Sequence, residues 1–178
     1  MRYHDRVFGE INQKPRETSD DHLRLTAFHE AGHAVMAQLC GRQVTEVEIV
    51  GDEEHSGTVQ WRRFAEEHPA EDDAGIPTAP IERRLLCVAA GMVAEAMISG
   101  RNSWNESSDE LDEAVRLAMR VVGDCERVLP FLEVVREHTE DLLSRHWPAV
   151  ESLAGELIKS RRMSGEEVRR LLTPLLPQ

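Results

Sequence analysis

From Leu85 to Gly100 the chain is apolar apart from Glu95, the only charged residue between Arg84 and Arg101. The run is too short, and with Glu95 too polar, for a comfortable membrane span. It therefore reads as a buried helix over residues 81–98, a segment that must be covered by the rest of the chain. A length of 178 residues suits one domain with a proper core. Only 4% of residues are aromatic, so Leu, Val, Ala and Met must build that interior.

The remainder is organised around this segment. Residues 1–20 lack periodicity and read as a flexible N-terminal arm, with the domain proper over 21–174. Asp20 or Asp21 can cap a helix starting near residue 22, along which Leu25, Phe28, Gly32, Val35 and Leu39 recur at helical spacing before Gly41 stops it. Val44–Val50 and Thr58–Trp61 are β-branched and partly alternating, and predict a hairpin or two neighbouring strands. Residues 65–80 hold Pro69, Gly75, Pro77 and Pro80 among acids and predict a loop. Further helices are expected over 108–122, 130–145 and 148–160. Ser164-Gly165-Glu166-Glu167 has the form of a capping box opening a short last helix that ends near Pro174. The fold class is mainly α with a small β-sheet (α+β). Cys40, Cys87 and Cys125 have no C-x-x-C spacing, fall in apolar helical patterns, and are expected in the core of a protein from a reducing compartment.

His29-Glu30-Ala31-Gly32-His33 carries the strongest chemical signal. On a helix, positions i and i+4 share a face. Two imidazoles at that spacing can close on one tetrahedral zinc, with the intervening glutamate beside it to take a proton from water. Both histidines flank the apolar stripe of the first helix and so border the core. The competing interpretation is a pair of interface histidines with ordinary hydrogen bonds.

A catalytic zinc needs a third protein ligand. A glycine at 36 and a histidine at 39 would continue the metzincin pattern, but Met36 and Leu39 stand there. Carboxylates are the candidates that remain. Glu95 needs a partner if buried: it can ligate zinc, accept a hydrogen bond from the outer nitrogen of a ligand histidine, or pair with an arginine. Asp109 and Glu110 open the helix at 108–122. Ser107-Ser108-Asp109-Glu110 equally fits a capping box in which Glu110 reaches back to Ser107.

Taken together, these segments resemble the peptidase domain of FtsH-type zinc metalloproteases over residues 22–172. The likeness rests on Phe28-His29-Glu30-Ala31-Gly32-His33-Ala34-Val35, on the two strand segments in their place, on Ala90-Gly91-Met92-Val93-Ala94-Glu95 through Gly100, and on Ser108-Asp109-Glu110-Leu111-Asp112-Glu113-Ala114. The resemblance implies a zincin-like helical peptidase domain with one β-hairpin, holding Zn2+ through His29 and His33, with Glu30 as base. The family's ligand aspartate falls on Glu110, with Asp109 the alternative third ligand, and Glu95 falls where an outer-shell partner is implied. A glutamate in that place is one methylene longer than the family's residue. No G-x-x-x-x-G-K-[ST] nucleotide loop occurs in the chain, so ATP-driven degradation is not carried over.

The expected activity is that of a stand-alone zinc endopeptidase acting on flexible or unfolded polypeptides. The alternative is a catalytically silent interaction or regulatory module. A net charge of −12 excludes the cationic footprint that nucleic acid requires. The N-terminus has no apolar signal segment. Expected partners are therefore a peptide or unfolded protein, with a homo-oligomer or a separate ATPase open, no membrane insertion, and a cytoplasmic location.

Overall fold

A computed structural model describes residues 19–49, 58–61, 78–100 and 109–177. Its elements are α1 (Ser19–Leu39), β1 (Val44–Glu48), β2 (Thr58–Trp61), α2 (Thr78–Ser99), α3 (Asp109–Val122), α4 (Cys125–Arg145), α5 (Trp147–Ser160), β3 (Arg162–Ser164) and α6 (Gly165–Leu172). This is the expected mainly helical fold with a small sheet. The arm over residues 1–18, the loop over 65–77 and the Ser107–Ser108 cap lie outside the described residues.

The apolar segment is α2, and it is covered by α1, α3 and α4. Its two faces serve two cores. Cys87, Ala90, Val93 and Ala94 join a cluster with Ala27, Ala31 and Val35 of α1, Val44 and Val47 of β1, and Val150, Leu153 and Leu157 of α5. Leu85, Val88 and Ala89 join a second cluster with Ala114, Leu117 and Ala118 of α3 and Val128, Leu132 and Val135 of α4. Burial on both sides explains why the segment lacks a polar stripe. The α1–α2 approach depends on Gly32: a Cβ there would stand 2.6 Å from the Ala90 carbonyl oxygen and 2.6 Å from Ala94 Cβ.

Local signals set the helix ends. Gly41 takes φ +76, its N–H donates to the Gln38 carbonyl at 3.0 Å, and the Arg42 N–H donates to the Ala37 carbonyl at 2.8 Å. That is the left-handed stop a glycine allows. The Ser164–Glu167 capping box is present, with Ser164 N–H donating to Glu167 Oε2 at 2.8 Å.

Four expectations are corrected. Helix α1 begins at Ser19 rather than 22, so the expected arm loses its last two residues to a helix. Thr78–Pro80 belong to α2 instead of a loop, because Pro80 sits in a first turn where no N–H partner is needed. Helix α4 starts at Cys125, five residues before the expected 130, because the Asp124 carboxylate accepts the Glu126 N–H at 3.0 Å. Pro130 then lies inside the helix, where it and Glu126 are exposed and water can serve the freed carbonyl. Cys125, expected in the core, is exposed at that first turn, whereas Cys87 is buried as expected and Cys40 is half-buried.

The sheet goes beyond a hairpin. Its order is β2-β1-β3, with Val47 opposite Val59 on one side and Met163 on the other, both pairings antiparallel. Strand β3 ties the end of α5 to β1, and Arg162 forms an ion pair with Glu46 at 2.5 Å. Among the described strands, β2 and β3 are the edges. No described helix is long and apolar enough to cross a membrane.

Candidate metal centre

Helix α1 turns His29 and His33 toward α2, with Glu30 beside them on the same turn. His33 and Glu30 are buried and His29 is half-buried. Each imidazole is held by its outer nitrogen. His33 Nδ1 donates to the Cys87 carbonyl at 2.7 Å, and His29 Nδ1 meets Glu95 Oε2 at 3.2 Å. A carbonyl oxygen can only accept, and a carboxylate does the same, so both Nδ1 atoms carry hydrogen and both neutral rings turn an Nε2 lone pair inward.

The two Nε2 atoms lie 3.1 Å apart. Glu110 Oε1, from the first turn of α3, stands 3.1 Å from His29 Nε2 and 2.7 Å from His33 Nε2. Three lone-pair atoms thus face one another with no protein donor among them, which requires a cation, either a proton or a metal ion. In the metal-free state a proton fills this role. Burial opposes a charged His29, but the hydrogen bonds to Glu110 and Glu95 outweigh it and raise its pKa to about 10. Burial likewise opposes a charged Glu110, yet His29 and His33 hold it far below the usual carboxylate range.

The donor set also fits zinc. Ligand atoms of His29, His33 and Glu110 all lie within 4.8 Å of one another. Tetrahedral bonds of about 2.0–2.1 Å need donor separations of about 3.3–3.4 Å. Two edges of the triangle are close to that, and the Glu110–His33 edge has to open by about 0.6 Å. Gly91 of α2 covers the triangle: a Cβ there would overlap His33 Nε2 and stand 2.5 Å from His29 Nε2. Only a residue without a side chain leaves both rings their convergent positions.

Glu30 makes no hydrogen bond among the described residues although its side chain is buried. Burial raises its pKa, against the lowering influence of His33 and His29.

Of the carboxylates the sequence singled out, Glu110 enters the triangle and Asp109, exposed on the same turn, does not. Glu95 does not join the triangle; it orients His29. Sequence reasoning missed two contributors. The Cys87 carbonyl leaves no trace in residue type, and Gly91 carried a signal only as a glycine inside an apolar helix.

A family model described as Peptidase M50B-like matches residues 22–67, which span α1, β1 and β2. Among curated proteins, the chain is 26% identical to the ATP-dependent zinc metalloprotease FTSH 11, chloroplastic/mitochondrial, of Arabidopsis thaliana, over 96% of this chain and 24% of that protein. It is 24% identical to the ATP-dependent zinc metalloprotease FtsH of Rickettsia bellii, over 95% of this chain and 32% of the relative. With the FtsH of a Synechococcus species the figures are 28%, 94% and 26%. The chain therefore spans about a fifth to a third of the length of the curated relatives it matches. The helical fold and these matches relate the chain to zinc metallopeptidases. More narrowly, the chain is a relative of the peptidase region of FtsH-type zinc metalloproteases.

Proposed function

We propose that residues 21–174 form a zinc-dependent endopeptidase domain that by itself hydrolyses peptide bonds in flexible or unfolded polypeptides. His29, His33 and Glu110 would hold the metal. When bound, zinc supplies a Lewis acid that polarises the scissile carbonyl and makes water acidic enough to lose a proton near neutral pH. Glu30 accepts that proton and passes it to the departing amine. Glu95 and the Cys87 carbonyl hold the imidazoles in the tautomer that points Nε2 inward. The edge that β2 forms among the described strands would offer backbone N–H and C=O groups to an extended chain, which favours peptide over compact substrates and reads sequence weakly. The relatives carry the name ATP-dependent, so a separate ATPase or a ring of copies is a fitting partner. A cytoplasmic location accords with the three free thiols.

The observation that carries the reading is the buried Glu30 carboxylate, which no described residue hydrogen-bonds, on the same turn as two converging imidazoles. A structural metal has no use for such a group, which speaks against a silent module. The test is casein cleavage by the zinc-loaded chain and by Glu30→Gln. Parent cleavage should fall about 10²–10⁴-fold in the variant while both bind one zinc. A parent that holds zinc but leaves casein intact would establish the silent interaction module instead.

A further inference from the structure

Two thiols that the proposed chemistry does not use meet at the far end of α1. Cys40 follows the last residue of that helix, and its Sγ lies 3.8 Å from the Arg83 carbonyl of α2. That carbonyl belongs to the turn just before Cys87, and the Cys87 thiol lies near enough to Cys40 to favour its thiolate. The two differ in access: Cys40 is half-buried, while Cys87 has no exposed surface. Arg42 and Arg83 are close enough to favour a negative charge on Cys40. Two core cysteines in passive packing need none of this asymmetry. An outer thiol beside cations, backed by an inner thiol on another helix, is the arrangement of an attacking and a resolving cysteine.

We propose that Cys40 and Cys87 are a peroxide-responsive dithiol that closes to an intramolecular disulfide between α1 and α2. The Cys40 thiolate attacks the peroxide O–O bond, forming a sulfenic acid and releasing hydroxide, which takes up the thiol's proton as water. Cys87 sulfur then attacks the sulfenic sulfur. The S–S bond forms, the S–O bond breaks, and the second water leaves with the Cys87 proton. Two thiols and one hydrogen peroxide give one disulfide and two waters. The cross-link reaches the neighbourhood of the metal centre through one atom, the Cys87 carbonyl that accepts from His33 Nδ1.

The test exposes the reduced, purified chain to a small excess of hydrogen peroxide, then alkylates free thiols and reads intact and peptide masses. The parent should lose about 2 Da, take up one alkyl group instead of three, and yield a peptide joining Cys40 to Cys87. Cys125→Ser should form the same cross-link. Cys87→Ser should leave Cys40 as a sulfenic acid that dimedone traps. Should that variant fail to fold, the peptide map of the parent decides alone. A parent that gives only Cys125-linked dimers, or Cys40 oxidised to sulfinic acid beside a free Cys87 thiol, overturns the proposal.

Discussion

Replacing Gly91 with alanine tests the metal centre through a residue that donates nothing to it. The added methyl would overlap His33 Nε2, lie 2.5 Å from His29 Nε2 and 2.7 Å from His29 Cδ2. Carbon needs about 3.5 Å or more to such atoms, so both rings must retreat by about 1 Å. Turning each ring off its rotamer costs about 0.5–1.5 kcal/mol. Helix propensity returns about 1 kcal/mol, because alanine replaces glycine inside a helix. The net loss of stability is then about 0–2 kcal/mol, a drop in Tm of up to about 8 °C for a chain of this size. The effect on metal is larger. Ligand distances tolerate about 0.2 Å, so a 1 Å retreat should weaken zinc at least about 100-fold. Competition with a chromophoric chelator measures affinity, and circular dichroism follows melting. Gly155→Ala in α5 is the control, since a Cβ there meets nothing within 4 Å. Gly91→Ala with parental zinc affinity and parental Tm would refute the reasoning, because the rings could not then converge beneath residue 91.

Three further outcomes follow from the same triangle. Glu110→Ala should lose zinc, whereas Asp109→Ala should retain it within about threefold in the same competition assay, since truncating an exposed side chain has little effect. Glu95→Gln should weaken zinc about 10–100-fold while leaving its stoichiometry at one, read by titration against the chelator. The metal-free chain should lose stability as pH rises from 6.5 toward 10. His29 is raised in the folded state, so its contribution is full below its unfolded value and vanishes through about 10; Glu30, also raised, acts in the same direction. The loss is on the order of 2 kcal/mol, counting the His29–Glu110 pair once, and appears as a falling Tm in chelator. Glu110 is lowered, so its contribution holds above its unfolded value of 4.5 and is lost as pH falls below it. A flat Tm between pH 6.5 and 9.5 would contradict the paired-charge account.

What could be read in the sequence was whatever depends on spacing along one element. The His29–His33 interval, the Gly41 stop and the Ser164–Glu167 box each act within a few residues and are found as expected. The choice between Asp109 and Glu110 was different, because adjacent helical residues point about 100° apart and only the docking of α3 on α2 decides which faces inward. Strand β3 was missed because three residues show no alternation, and its hydrogen bonds go to a strand 116 residues away, as the Glu46–Arg162 pair shows. The early start of α4 was legible in Asp124 but was masked by Pro130, which marks a helix start more often than it sits inside one. Cys125 was misplaced for the same reason: with the helix begun earlier, its thiol falls on the outward side of the first turn.

The two hydrophobic clusters are bridged by α2 and by α4, whose Leu143 joins the first and whose Val128, Leu132 and Val135 join the second, but α1 and α3 are not among the helix pairs in extended contact. An ion held by His29, His33 and Glu110 would therefore act as a rivet, fastening α3 to α1 across a span of 81 residues. Drawing the rivet should leave the rest of the domain folded while α3 breathes, so amide exchange should quicken first in α3 and last in α1.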